Sequence, residues 1–179
     1  MANTRIAYRG AVKVSQRKNG RAKVLKTAHN EGKYGLFNYL VDCLYGDMQV
    51  ENRPFYLKVW SKSDTTNESA EEKELTVYPC PTSQKDMIRV SAEDGDASAS
   101  VSYSFLVTSA NQDAEAFDAS GKTYLTKAEL LSGSTTDKRS CAEVDLTSID
   151  ESGDTKYPEL AKGYDLILQW KLTIGNADE

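Results

Sequence analysis

The amino-acid sequence predicts a mainly β protein: an antiparallel β-sandwich with one amphipathic helix and long acidic loops. Apolar residues alternate with polar ones over several segments, which is the period of a half-buried strand, whereas one longer segment has the period of a helix. No linker separates two independent cores, so residues 1–179 are interpreted as a single β-rich domain.

The first predicted element is a basic β-hairpin over about residues 5–27. Along its first strand, apolar residues alternate with polar or small ones, at Ile6, Tyr8, Val12 and Val14. Asn19-Gly20 then supplies a two-residue turn, because Asn and Gly tolerate the positive φ angles that a tight hairpin requires. We expect the basic side chains to lie mostly on the outer face of this hairpin and at its tip.

The segment with helical periodicity is at about residues 34–45. Its apolar residues form one stripe, made of Leu36, Phe37, Leu40, Val41, Cys43 and Leu44. Gly46 follows where helices commonly end in a left-handed residue. This helix is expected to pack across a sheet, with Leu40 in the core.

After this helix the pattern returns to strands, which are predicted at 55–60, 75–78, 87–90, 98–108, 139–147 and 163–174. The last of them is the strongest, since alternate residues are apolar over eleven positions, and Leu168 is expected in the core. A short second helix is predicted at 127–131, because Thr126 and Glu129 have the spacing of a capping box. The long acidic connections are at 61–74, 91–97, 109–121, 132–137 and 148–156.

Charge is distributed unevenly along the chain, which has 22 basic and 27 acidic residues and a net charge of -5. Residues 1–33 hold nine basic residues and one acid, or +8, which leaves -13 for the remainder. Such asymmetry is typical of contact with an anionic partner, although the solvated face of a hairpin would have the same composition. The candidate interface residues are Arg5, Arg9, Lys13, Arg17, Lys18, Arg21 and Lys23.

Targeting signals are missing from the sequence. The first ten residues lack the apolar stretch of about 7–15 residues found in a signal peptide, and no run approaches the roughly 20 apolar residues of a membrane span. Cys43, Cys80 and Cys141 are odd in number and widely spaced, which favours reduced thiols over a disulfide framework or a metal site. We therefore expect synthesis in a cytoplasm, no secretion by a signal peptide and no membrane partner.

Motifs for catalysis are missing as well. His29 is the single histidine, and the sequence has no nucleophile elbow, Walker A loop or dinucleotide fingerprint. Residues 118–129 imitate an EF-hand, but Lys122 stands where an oxygen ligand is required and Thr123 where glycine is required. The sequence predicts a protein that is not an enzyme and that has no cofactor or metal.

Several short stretches resemble small structural proteins of tailed bacteriophages. They are His29-Asn30-Glu31-Gly32, Leu36-Phe37, Leu44-Tyr45-Gly46-Asp47, Pro54 before an extended run, and a closing strand with Trp170 that ends in Ile174-Gly175-Asn176. These stretches cover about a third of the chain and include no functional signature. The resemblance implies a β-sandwich component of a virion, such as a capsid decoration, neck or tail protein.

The leading hypothesis is a non-enzymatic structural subunit of a bacteriophage virion, made in the bacterial cytoplasm, that binds other virion proteins and forms a homo-oligomer. Nucleic acid is a less favoured partner, because Tyr8 is the one aromatic residue of the basic hairpin. The alternative is a β-sandwich carbohydrate-binding or adhesin module. Its candidate stacking residues are Tyr56, Trp60, Tyr103 and Trp170.

Overall fold

The computed structural model describes residues 6–33, 36, 54–66, 70–80, 87–90, 98–132 and 139–176. Within these ranges the chain is mainly β, as predicted, and two single-turn 3-10 helices span Ser109–Asn111 and Ala114–Ala116. The strands are β1 (Ile6–Lys18), β2 (Arg21–Gly32), β3 (Pro54–Lys62), β4 (Lys73–Pro79), β5 (Met87–Val90), β6 (Ser98–Val107), β7 (Lys122–Ser132), β8 (Arg139–Asp145), β9 (Ser148–Ile149), β10 (Thr155–Lys156), β11 (Glu159–Ala161) and β12 (Asp165–Asn176).

The strands pair antiparallel in a ten-stranded sheet of order β4-β3-β7-β8-β2-β1-β12-β6-β5, with β11 beside β7 and a separate β9–β10 hairpin. The strand β2 joins two halves of this sheet: its residues up to Asn30 pair with β1, whereas Glu31 and Gly32 pair with β8. We call β5-β6-β12-β1-β2 the first sheet and β8-β7-β3-β4 with β11 the second sheet. Their inner faces pack together in a sandwich-like arrangement.

The core lies between these inner faces. Its fully buried side chains include Val12, Val14, Phe105, Leu168 and Trp170 from the first sheet and Leu57, Val59, Leu125, Leu130 and Val144 from the second. They belong to one continuous hydrophobic cluster. The predicted burial of Leu168 is confirmed, and each large apolar side chain buried there stabilises the fold by roughly 1.5–3 kcal/mol.

The predicted hairpin is confirmed and is longer than expected. Asn19 and Gly20 have φ angles of 51° and 77°, as a type I′ turn requires. The hairpin is not a free ribbon, because β1 also pairs with β12 along its length, from Ile6 to Arg17. A bulge leaves Leu25 unpaired, so that Leu25 packs against the core while the neighbouring Val24 is 51% exposed.

The short helix predicted at 127–131 is wrong, because these residues lie inside β7. β7 pairs with β3 on one side and β8 on the other, so its backbone groups are satisfied by neighbouring strands. Glu129 does not cap a helix; its carboxylate accepts a hydrogen bond from the Trp60 indole at 3.4 Å. The pairing of β7 with two strands therefore stabilises its extended conformation more than the local capping pattern stabilises a helix.

The amphipathic helix predicted at about 34–45 lies outside the described residues except for Leu36, and so does Leu40. Leu36 is buried, and its amide donates to the Lys33 carbonyl at 3.0 Å. The described residues therefore do not establish the helix. Two of the predicted acidic connections contain short elements: the 3-10 helices lie within 109–121 and the β9–β10 hairpin within 148–156.

Candidate functional site

The outer face of the first sheet carries the predicted basic residues. Because side chains alternate along a strand, the buried Val12 and Val14 of β1 place Arg9, Ala11 and Lys13 on the opposite face. The same alternation in β12 exposes Gln169 and Lys171 between core residues. β6 adds three half-buried serines to this face, at Ser100, Ser102 and Ser104.

The structure divides the seven predicted interface residues into groups. Arg5 lies outside the described residues. Arg9 and Lys13 are exposed on β1, and Arg21 and Lys23 are exposed on β2 beyond the turn. Arg17 and Lys18 end β1 and make contacts of their own within the chain.

Arg17 and Lys18 attach the hairpin tip to the start of β12. The Arg17 Nη2 atom lies 3.0 Å from Asp165 Oδ2, and Asp165 Oδ1 accepts from the Ser109 amide at 3.2 Å. The Lys18 ammonium lies 4.7 Å from the centre of the Tyr164 ring. These two cations therefore contribute to the fold, although a partly exposed ion pair is worth only about 0–1 kcal/mol.

A depression of 430 Å³ lies at the other end of this face, and we call it the basic pocket. Its lining includes Arg9, Ala11, His29, Lys171 and Thr173. In the strand register Ala11 is directly opposite His29 of β2 and Lys171 of β12. The Ala11 side chain is smaller than those around it and forms the base of the pocket. Arg9, His29 and Lys171 surround it, and each can donate N–H hydrogen bonds to an anion.

Sequence reasoning identified Arg9 but missed the other two donors of the basic pocket. His29 and Lys171 are distant from each other in the chain and become neighbours of Ala11 only through the pairing of β1 with β2 and β12. The available signal was the alternation of the last strand, in which Lys171 stands between Trp170 and Leu172. That pattern places Lys171 on the outer face but does not identify the strand beside it.

A hydrogen-bonded polar pair, Tyr8 and Asn30, also lines the basic pocket. The Asn30 amide Nδ2 donates to the Tyr8 hydroxyl, and Asn30 is only 7% exposed. A Cβ atom on Gly10 would lie 1.6 Å from Asn30 Oδ1, so only glycine leaves room for this amide. Burial raises the pKa of Tyr8 to about 12.

The outer face of the second sheet has mixed charge around Trp60. The ammonium groups of Lys58 and Lys127 lie 4.0 and 5.1 Å from the centre of the Trp60 ring. Glu129, which accepts from the Trp60 indole, is directly opposite Glu143 on β8. Because cations surround the ring, a sugar stacking on Trp60 would compete with these two ammonium groups.

The carboxyl groups of Glu129 and Glu143 interact across the two strands. Burial raises the pKa of Glu129, and its hydrogen bond with Glu143 raises that pKa further. For Glu143, partial burial acts to raise the pKa, but the hydrogen bond from Glu129 and the nearby Lys33 lower it overall. The two pKa values thus shift in opposite directions, which favours a proton on Glu129 and a charge on Glu143.

The four aromatic candidates for carbohydrate stacking do not form one exposed row. Trp170 is fully buried in the core, and Tyr103 packs against the core. Tyr56 and Trp60 are half-buried on β3, where they alternate with the buried Leu57 and Val59.

The segment 118–129 is not a compact loop. Asp118 Oδ1 accepts from the backbone amides of Ser120 and Lys122, whereas Glu129 lies well along β7. Lys122 and Glu129 are seven positions apart on an extended strand, a separation of about 23 Å. Within the described residues, no group of three or more His, Cys, Asp or Glu side chains is placed to hold a metal ion.

No family model, curated protein or solved structure matches this chain. In the described part of the chain, no helix has the length and apolar character needed to cross a membrane.

Proposed function

We propose that this protein is a non-enzymatic structural subunit of a bacteriophage virion, a capsid decoration, neck or tail component that binds its neighbours through protein–protein interfaces. The observation that supports this proposal best is the basic outer face of the first sheet. Arg9, Lys13 and Lys171 are exposed there and have no ion-pair partner among the described residues.

The basic face suits a protein partner because it belongs to a hydrogen-bonded sheet rather than to a flexible arm. β1 lies between β2 and β12, so its cations are held at fixed spacing. Exposed charges at fixed spacing steer and orient a partner of opposite charge, with strong dependence on salt. Nucleic acid is less favoured, because the one aromatic residue among those lining the basic pocket is Tyr8, which is half-buried and hydrogen-bonded to Asn30.

Purified virions test the functional class directly. Mass spectrometry of particles separated on a density gradient should detect this protein in constant ratio to the major capsid or tail proteins. Its absence from purified particles would overturn the proposal.

Charge reversal tests the interface. A variant with Lys13→Glu and Arg21→Glu keeps the structural pairs of Arg17 and Lys18, and it should fold but enter particles less efficiently at low salt. The matched control is Lys73→Glu with Lys162→Glu, which makes the same charge change at exposed positions away from this face. Equal incorporation of both variants would show that the basic face is not an interface.

The second candidate function is a carbohydrate-binding or adhesin module, which the half-exposed Tyr56 and Trp60 on β3 favour. A glycan array would test it, and Trp60→Ala should abolish any binding that depends on stacking. The burial of Trp170 and the packing of Tyr103 against the core leave fewer aromatic rings for this role.

A further inference from the structure

We infer that the basic pocket binds a carboxylate side chain from a second copy of this chain. The inference rests on the proposed structural role and deepens it, because it assigns the partner and the point of contact. The resulting interface joins two different surfaces, a basic pocket on one copy and an acidic segment on the next.

The basic pocket has room for a side chain from another molecule. Its volume is 430 Å³, and Ala11 is one of the residues that line it. His29 and Lys171 stand on the strands on either side of Ala11, which places their Cα atoms about 10 Å apart. Arg9 projects from the same face two residues before Ala11, so one carboxylate above Ala11 is within reach of all three groups.

The donors around the basic pocket suit a carboxylate. A guanidinium group binds a carboxylate through two parallel N–H···O hydrogen bonds, and an ammonium group adds a charge-assisted bond. Arg9 and Lys171 have no ion-pair partner among the described residues, so neither must first release an acid of its own chain. Asp165, at the other end of this face, is already bound to Arg17.

The acidic segment after β6 offers carboxylates that suit the basic pocket. Asp113 and Glu115 are exposed in the acidic segment after β6, and no ion pair engages them within the described residues. This segment is attached to the start of β12, since the Gln112 amide donates to the Tyr164 carbonyl at 2.9 Å. Tyr164 and Lys171 are seven residues apart along extended chain, or about 23 Å.

This separation places the acidic segment at the other end of β12 from the basic pocket of the same copy. A carboxylate from the segment therefore reaches a basic pocket by contact between copies. Such a contact is heterologous and continues from copy to copy, which is the geometry of a ring or a lattice.

Sedimentation velocity of the purified full-length chain, at 20 and 500 mM salt, tests the inference. The parent protein should self-associate at low salt and dissociate at high salt. Ala11→Leu places a larger apolar side chain at the base of the pocket without changing any charge, and it should weaken self-association by about tenfold or more. Ser104→Leu is its control, because it adds the same bulk to the same face outside the pocket lining and should leave self-association within about threefold of the parent.

Charge reversal gives a second, independent readout. Arg9→Glu with Lys171→Glu should abolish measurable self-association, because like charges would then meet across the contact. The matched control, Lys73→Glu with Lys162→Glu, makes an equal change in net charge and should retain most of the self-association of the parent. All variants should unfold within a few degrees of the parent, which establishes that the pocket rather than the fold was altered.

Two results would overturn the inference: a parent protein that stays monomeric at 20 mM salt up to about 200 μM, or an Ala11→Leu variant that associates like the parent. Neither result would refute a role in the virion, because a chain that does not bind itself can still bind other virion proteins. The presence of the protein in purified particles decides that question separately.

Discussion

At the scale of single residues, the least expected arrangement is the pair of carboxyl groups on the outer face of the second sheet. Glu129 and Glu143 are cross-strand neighbours, and such neighbours lie close enough for like charges to destabilise a sheet. Glu129 is also poorly solvated, since its side chain is only 14% exposed. At acid pH a shared proton removes both the repulsion between the two carboxylates and the poorly solvated charge on Glu129. This proton is lost as the pH rises.

The substitution Glu129→Gln should therefore stabilise the protein at alkaline pH. Glutamine still accepts the hydrogen bond from the Trp60 indole and can donate to Glu143, but it carries no charge. We expect the free energy of unfolding to rise by up to about 1 kcal/mol at pH 8, as measured by urea denaturation.

The gain should shrink at acid pH, and the direction follows from the raised pKa of Glu129. An acid with a raised pKa contributes stability at low pH that is lost as the pH rises through that pKa. The charge on Glu129 therefore lowers the free energy of unfolding of the wild type only above this pKa. At pH 4, where Glu129 is protonated, the variant and the wild type should be nearly equal. Glu159→Gln, which removes an exposed partner of Lys122, should give no gain at pH 8; an equal gain there would contradict this account.

At the scale of elements, two turns share one construction. Asp118 and Asp150 each begin an Asp-x-Ser-Gly-x sequence, and each Oδ1 atom accepts from the amides two and four residues later. These hydrogen bonds help to lower the pKa of both aspartates, with the Lys156 side chain making the largest contribution at Asp150. The short side chain thus organises the turn before the next strand begins.

The glycine of the second turn should be required for its conformation rather than for its size. Gly153 has a φ of 86°, and a Cβ atom there would meet nothing within 4 Å. Gly153→Ala should therefore cost about 1–2 kcal/mol through backbone strain alone. Thermal unfolding would measure the cost; Glu151→Ala, in the same turn, should be nearly neutral, and equal melting temperatures for Gly153→Ala and the parent would refute the explanation.

At the scale of the whole molecule, β2 decides how the two sheets are joined. Its pairing passes from β1 to β8 at Glu31, so one strand contributes hydrogen bonds to both sheets. The inner faces of both sheets contribute to one hydrophobic cluster. If one sheet unfolded, the apolar face of the other would be exposed to water. This arrangement predicts a single cooperative unit.

Two spectroscopic probes would test that cooperativity. The Trp60→Phe variant retains Trp170 as its one tryptophan, buried in the first sheet, while far-ultraviolet circular dichroism reports on all strands. Both signals should give the same urea midpoint and the same slope. Separate midpoints would mean that the sheets unfold as independent units.

The sequence alone was sufficient for features that depend on neighbouring residues. The Asn19-Gly20 turn follows from the φ angles that these two residues tolerate, and the burial of Leu168 follows from strict alternation along β12. The exposure of Arg9 and Lys13 was predictable for the same reason. In each case the deciding interactions lie within a few residues of one another.

Only the tertiary structure decided which segments became neighbours. The 127–131 segment has a local helix signal, but β7 is hydrogen-bonded to β3 and β8. These two strands lie outside the segment, so a local pattern cannot predict that they pair with β7. The basic pocket likewise exists because the register of β1 with β2 and β12 sets His29 and Lys171 on either side of Ala11. Periodicity determines the face on which a side chain lies, whereas strand pairing across the whole chain determines what lies beside it.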